Sequence, residues 1–428
     1  MDSTNMQPEA AITTQPSQAQ NAPAASIMEM IPETPPIEAA RPETFWHRWF
    51  TAFKQTLPVY VAVHLAFFVT TCLSFLFTLR DFDPRNVPVY KLWQTWHHWD
   101  TGHYMSIATY GYQHPWSAAF FPLYPLLERV VMFLTHRNAL AAGLFISNLA
   151  GLVMLVVLYR LVREDFDHER ALRSVLYLSI FPTAFFFAAG YNEALFLCLA
   201  LLSFYNIRHG RWWLAGLFGF FACLTRSAGL LLLLPFGYEY LRQREFRLRA
   251  IRFDILAAAL IPAALVLYGL YCYLLFHDFL EFSHAQAYWD HYLAWPWVGI
   301  AGSIRAISIS GGLLSFQALR NLTDLVPDLF ILVALILAFV GPWRFPRWLW
   351  SYCAYAVPLY LFLQIFPIGG TGLYPLQSVG RYMLEIFPAF IVLAGAGRSR
   401  MFHMNYLMIS GAVLFFLLTQ FLIGRWVL

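Results

Sequence analysis

Apolar runs separated by short polar ones dominate the chain from residue 57 onward, at 57–79, 139–159, 174–189, 194–207, 212–224, 227–241, 253–276, 326–341, 348–366, 382–397 and 404–424. Each predicts a helix buried all round or facing lipid. A span needs about 20 apolar residues, so the shorter runs predict helices extending beyond their apolar cores. The stretch 118–136 reads differently: FFPLYPLLERVVMFL opens on two prolines and carries Glu128 and Arg129 midway. It predicts a helix lying in the membrane interface and leading back into 139–159. No repeat of 20–50 residues and no inverted repeat of the transporter kind is visible.

The charges test this layout. With the N-terminus inside, the inner segments hold 18 of the 28 Lys and Arg, in groups around Arg48, Arg163, Arg208, Arg247, Arg344 and Arg398. The other ten are spread over longer outer segments or lie at membrane level. By the positive-inside rule this predicts eleven spans, with the C-terminus outside and long outer loops at about 80–138, 277–325 and 367–381.

Composition agrees. The chain is 59% hydrophobic and only 12% charged, too little charge to cover a soluble protein of 428 residues. The expected class is therefore an all-α polytopic membrane protein. A net charge of +4 gives no reason to expect nucleic acid. All five cysteines lie in apolar segments and read as packing residues. Residues 1–40, rich in Pro, Ala, Gln, Thr and Ser and free of Lys and Arg, read as a disordered cytoplasmic tail. The basic, aromatic stretch after it (Arg41, Trp46, His47, Arg48, Trp49, Lys54) predicts an interfacial helix before the first span. Residues 41–428 form the integral membrane domain.

The candidate chemistry concentrates in Trp96–Arg129, WHHWDTGHYMSIATYGYQHPWSAAFFPLYPLLER. Asp100 is a lone carboxylate among aromatics, with no cation within one turn except histidines. Aromatic neighbours exclude water and raise a carboxylate's pKa toward that of a useful base. An interfacial solvated carboxylate is the competing reading. His97, His98, Asp100 and His103 are metal-ligand types, yet adjacent histidines rarely serve one ion, and no metal or other cofactor is expected. His103 is read as a hydrogen-bond partner for substrate or phosphate.

Further candidates lie downstream. Glu193, in GYNEALF, opens a span from the outside and suits a sugar hydroxyl, or simply the helix dipole. Arg226, in LTRSAGL, sits at outer-membrane depth, where an unpaired guanidinium is costly, so it should pair with Glu193 or an anionic ligand. Arg381, in SVGRYMLEIFP, also opens a span from outside and suits a phosphate. For both arginines, structural ion pairing is the alternative. Gln286, in the outer loop with His284, Trp289, His291, Trp295 and Trp297, completes the candidate substrate contacts. The tryptophans of that loop also fit an aromatic belt.

In this order, WHHWDTGHYMSIATYGY with AFFPLYPLLER, GYNEALFLCLALLSFY, LTRSAGLLLLLPF, HAQAYWDHYLAWPW and GRYMLEIFPAFIVLA resemble the PIG-V family, which includes the second mannosyltransferase of GPI-anchor synthesis and bacterial relatives. The stretches cover about residues 96–396, and the WDTGHY form is closer to the bacterial relatives. The resemblance implies a GT-C-type fold with about eleven transmembrane helices and a catalytic acid in the first outer loop, which falls on Asp100. It further implies inverting transfer of mannose from polyprenyl- or dolichyl-phosphate mannose to a lipid or glycan acceptor on the outer face. The implied location is the plasma membrane for a bacterial protein or the endoplasmic reticulum membrane for a eukaryotic one. A transporter or flippase for lipid-linked sugars, or an assembly subunit, is the alternative. A transporter would place its charges at the midplane, whereas here they crowd the outer face.

Overall fold

The computed structural model describes residues 44–78, 89–370 and 372–425. The tail 1–40 and Arg41 lie outside the described residues. The described chain is helical, and its one β-type pairing is an isolated bridge between His291 and Ile368.

Helix α1 (Phe45–Thr78) is followed by α2 (Val89–Gln94), α3 (Asp100–Tyr110) and α4 (Leu123–Val131). Then come α5 (Ala139–Asp165), α6 (His168–Ser179), α7 (Glu193–Arg208), α8 (Trp212–Thr225), α9 (Leu233–Arg242) and α10 (Leu260–Phe276). The second outer loop carries α11 (Glu281–His284) and α12 (Val298–Ser308), and α13 (Phe316–Leu337) and α14 (Trp350–Gln364) follow it. The chain ends through α15 (Val379–Tyr382), α16 (Phe387–Ala396) and α17 (Arg400–Leu422).

Every predicted apolar segment meets a helix, but the lengths differ from expectation. By length and composition Phe45–Leu76, Ala139–Asp165, Phe253–Phe276 and Arg400–Leu422 are each long and apolar enough to cross a membrane. Val379–Glu385 and Phe387–Ala396, which bend by 80° at Ile386, pass the same test only when taken together, as a broken span or a re-entrant loop. The segment 174–189 divides into α6 and a 3-10 turn at Ala184–Phe187, and 227–241 into a 3-10 turn at Ser227–Leu232 and α9. At 1.5 Å per residue such pieces are shorter than a hydrocarbon core of about 30 Å. Where eleven spans were expected, four of the described helices are long and apolar enough to cross by themselves, or five crossings if the bent pair is one span. Among the described residues no separate interfacial helix precedes the first span: α1 runs from Phe45 through His47, Arg48 and Lys54 as one helix of 34 residues. Helix α4 has nine residues, too short to cross, in keeping with its expected interfacial role. Helix α12 was not anticipated, because its apolar run is short and interrupted by Arg305.

The core forms where helices are apolar all round. All ten residues of α16 are buried, as are most of α7. Helix α7 packs against α5 and α8, and α16 against α6. Gly216 lets α8 cross the 253–259 turn closely, since a Cβ there would lie 2.2 Å from the Ala257 carbonyl oxygen. The five cysteines are free, and four of them are buried.

Two polar layers mark the ends of α7. At its C-terminal end Arg208 pairs with Asp165 at 2.7 Å and with Glu239 at 3.0 Å, and the Tyr352 hydroxyl donates to Asp165. The arginine-rich segments expected inside thus meet in one place. At the other end, about 22 Å away along the axis, sits Glu193 with the site described below.

This arrangement makes the sidedness testable. Cysteines placed at the exposed positions Gln113 and Arg247 should react from opposite sides of an intact cell, Gln113→Cys from outside and Arg247→Cys only after permeabilisation. The reverse pattern would invert the topology.

Candidate functional site

Asp100 is the first residue of α3, and the residue before it, Trp99, is held at φ 45°. The left-handed conformation is costly for a bulky side chain, so the surrounding packing must enforce it. The Trp99 ring packs 5.3 Å from Phe421 near the end of α17, and His98 meets the same ring edge-on. Behind Asp100, Thr101 is pressed against Gly190, where a Cβ would come within 2.9 Å of the Thr101 methyl. GYNE thus needs its glycine for close approach to the WDTGHY turn.

From the other end of the chain comes Arg381. Ser378, at φ 70°, turns the backbone into α15, and the Arg381 Nη1 donates to Asp100 Oδ2 at 2.6 Å. Glu193 Oε1 lies 3.6 Å from Arg381 Nε and accepts from Arg226 Nη1 at 3.3 Å. Glu385 Oε1 stands 2.5 Å from the same Arg226 atom. The result is an alternating chain of charges: Asp100, Arg381, Glu193, Arg226, Glu385. Tyr382 links the arginines further. Its hydroxyl accepts from Arg381 Nη2 at 2.9 Å, and its ring lies under both guanidiniums, at 4.4 Å for Arg226 and 4.9 Å for Arg381.

The carboxylates differ in exposure: Asp100 keeps 23% of its side-chain surface, Glu193 1% and Glu385 none, while Arg381 and Arg226 keep 13% and 17%. Buried carboxylate oxygens on Glu193 and Glu385 have no hydrogen-bond partner. Of the three carboxylates, Asp100 is the one open to a ligand.

The structure therefore brings together Asp100, Glu193, Arg226 and Arg381 and changes several of their readings. Asp100 does have a cation, supplied from 281 positions away, and Trp96, Trp99 and Tyr104 pack into the core around it. Glu193 faces two arginines, which is the ion-pairing alternative. Arg226 is engaged by Glu193 and by Glu385. Glu385 is the member that sequence reasoning missed, although it lies in the same GRYMLEIFP stretch as Arg381. A lone acid inside an apolar run was the signal available.

His103 and Gln286 stand apart from the charge chain. The His103 ring sits among Phe120, Trp116 and Trp289 at centroid distances of 4.9, 5.3 and 5.3 Å. Burial lowers its pKa, against a smaller upward pull from Asp100, so at neutral pH it offers a neutral imidazole rather than a charge. Gln286 is half-buried on the turn that carries Trp289 and makes no side-chain hydrogen bond to the charge chain. His97, His98 and His103 diverge, and among the described residues no three His, Cys, Asp or Glu side chains converge as a metal-binding group.

The profile of the mannosyltransferase (PIG-V) family matches residues 81–291, a region containing Asp100, Glu193 and Arg226. Over that stretch, just under half of its length, the chain is similar to the PIG-V family. GPI alpha-1,6-mannosyltransferase 2 of Mus musculus is 33% identical over 142 residues, which is 31% of this chain and 29% of that protein. GPI mannosyltransferase 2 of Yarrowia lipolytica is 29% identical over 145 residues, covering 33% of this chain and 39% of the relative. The match thus spans well under half the length of these relatives. Among solved structures, ArnT from Cupriavidus metallidurans bound to undecaprenyl phosphate superposes with a TM-score of 0.50 at 16% identity, over 82% of this chain and 63% of that one. That likeness shows the fold, which is of the GT-C class implied by the sequence resemblance.

Burial decides what substitutions here should do. Arg226→Ala strands the buried Glu385 and leaves Glu193 only its 3.6 Å contact with Arg381, and should cost about 3–5 kcal/mol, the range for breaking a buried pair. Arg381→Ala should cost less, because Asp100 reaches solvent. Thermal unfolding of the detergent-purified protein would show this order, and an equal or reversed loss would contradict it.

Glu128, on α4 beneath Gly143, yields a pH prediction. It is 1% exposed, and burial alone raises its pKa from 4.5 to about 8. The folded form therefore holds this proton more tightly than the unfolded form. Its contribution is fully present below pH 4.5 and is lost as pH rises toward about 8. Glu128→Gln should remove that slope, so that the melting temperatures of variant and wild type diverge as pH rises. Identical profiles would contradict it.

Proposed function

We propose that the protein transfers mannose from a polyprenyl- or dolichyl-phosphate donor to a hydroxyl of a lipid or glycan acceptor at the outer membrane face, with inversion and with Asp100 as base. The observation that carries this reading is the Asp100–Arg381 pair, a carboxylate and a guanidinium at 2.6 Å on the open end of a buried charge chain. The similarity to the mannosyltransferase (PIG-V) family supports the sugar, and the undecaprenyl phosphate bound by ArnT supports a lipid-phosphate donor.

In this reading the acceptor oxygen attacks the anomeric carbon while the bond from that carbon to the phosphate oxygen breaks. The phosphate leaves with the electron pair, and the acceptor proton passes to Asp100. Arg381 meets the charge growing on the phosphate with a fork of donors suited to it. Without substrate its Nη1 is held by Asp100. A phosphate competing for that guanidinium frees Asp100 to act as base, so donor binding and base activation are coupled. Arg226, held by two buried carboxylates, belongs to the scaffold. Glu193 is its link to Arg381 and stands back from the sugar, and Glu128, beneath Gly143, is not placed to act as a nucleophile. Inversion with a single base is therefore the simpler route.

Asp100→Asn tests the assignment. The amide keeps the size and a hydrogen-bond acceptor for Arg381 but cannot take a proton. Turnover of polyprenyl-phosphate mannose, with products identified by mass spectrometry, should fall by ~10²–10⁴-fold while yield and monodispersity persist. Asp100→Glu should also be poor, since a displacement of about 1 Å can cost ~10²-fold. An Asp100→Asn protein that retains most of its turnover would place the base elsewhere.

A further inference from the structure

Arg381 cannot aim itself. It is the third residue of α15, a helix of four residues whose N-cap, Ser378, is left-handed and makes no side-chain cap. A single turn of helix is not stable by itself, so something else must fix its backbone. The peptide groups of Gly380, immediately before Arg381, show what does. The Gly380 N–H donates to Asp324 Oδ1 at 3.0 Å, and the Gly380 carbonyl accepts from the Thr183 hydroxyl at 3.0 Å. Asp324 is on α13 and Thr183 lies between α6 and α7, so two separate parts of the bundle grip one residue from both sides. Thr183 is fully buried and Asp324 is 3% exposed.

The same two parts of the fold finish the cradle. The segment beginning at Thr183 continues to Phe186 and Tyr191, whose rings lie 5.6 and 5.4 Å from the Arg381 guanidinium carbon, and then to Glu193. On α13, Arg320 lies one turn before Asp324 and donates to Gln377 Oε1, tying down the chain just ahead of Ser378. Burying a carboxylate is expensive unless it is bonded, and its described hydrogen bond goes to this one backbone donor.

We propose that Asp324 and Thr183 are positioning residues that clamp the Gly380 backbone and thereby hold Arg381 at Asp100 and at the donor phosphate. The proposal rests on the donor role given to Arg381 above. Asp324 supplies an acceptor in place of the missing cap of α15, and Thr183 supplies a donor to the following carbonyl. Neither needs to touch substrate. The chemistry at position 324 then calls for a hydrogen-bond acceptor rather than for negative charge, and that at position 183 for a hydroxyl.

Four variants of the full-length protein test it, assayed with polyprenyl-phosphate mannose alongside Arg381→Ala. Asp324→Asn keeps an acceptor and Thr183→Ser keeps the hydroxyl, so both should stay within about twofold of wild-type kcat/KM. Asp324→Ala and Thr183→Val should lose about tenfold or more, because small errors in the placement of a catalytic group are costly. Added to Arg381→Lys, Asp324→Ala should cost much less than it costs alone, since the group it positions has already lost its fork. A merely structural role would give the same loss in both backgrounds. Such full additivity, or Asp324→Asn as poor as Asp324→Ala, would overturn the clamp. So would a wild-type Asp324→Ala beside an inactive Arg381→Ala, with the donor reading left standing. Arg381→Ala at the wild-type rate would overturn the donor reading and the clamp together.

Discussion

The buried chain of alternating charges, Asp100–Arg381–Glu193–Arg226–Glu385, constrains everything around it. Its members come from α3, the start of α7, the end of α8 and the stretch from α15 to Ile386. An ionised group in this setting is tolerable only when its partner is in place. The chain therefore forces four distant segments to meet in one register, and the bundle must be compatible with that meeting. Gly190 and the 80° bend at Ile386 are local consequences: one admits Thr101, the other carries Glu385 back toward Arg226.

Strain is distributed accordingly. Trp99 at φ 45° precedes Asp100, and Ser378 at φ 70° precedes Arg381 by three residues. Both arms of the half-buried Asp100–Arg381 pair thus leave a left-handed residue. Packing around them, with Phe421 on one side and the Gly380 grip on the other, holds geometries that short isolated peptides would abandon. The second outer loop adds aromatic cover through Trp289, which meets His103, Trp116 and Phe120.

Much of this was legible in the sequence because lipid leaves so little freedom. In apolar segments a charged residue is conspicuous, and Asp100, Glu193, Arg226 and Arg381 could be picked out one at a time. Their pairing could not, since nothing local connects Asp100 with a residue 281 positions later. Glu385 escaped for a related reason: beside Arg381 in sequence it reads as part of a helix start, yet the fold turns it to Arg226. The role of Asp324 was also invisible, because its partner is a backbone N–H and backbone groups leave no mark in composition. Helix breaks at 180–183 and at Ile386 were missed because apolar periodicity continues across them. The positions of His103 and Gln286 depend on how two outer loops fold together, which local pattern does not specify.

Arg226 and Arg381 look alike in sequence: each is a lone arginine at the outer end of an apolar run. The burial of the carboxylates they hold separates them. Arg226 holds Glu193 and Glu385, which have 1% and no exposure, so drawing it away would strand buried carboxylates at a cost of several kcal/mol. Arg381 holds Asp100, whose 23% exposure lets water take over when the guanidinium turns elsewhere. Exchange of partners is therefore cheap at one arginine and prohibitive at the other. A site that must accept an anion and then release it requires the first kind, and a site that must keep its shape throughout requires the second. Joined through Glu193 and Tyr382, the two supply both properties within a few ångströms of the same carboxylate.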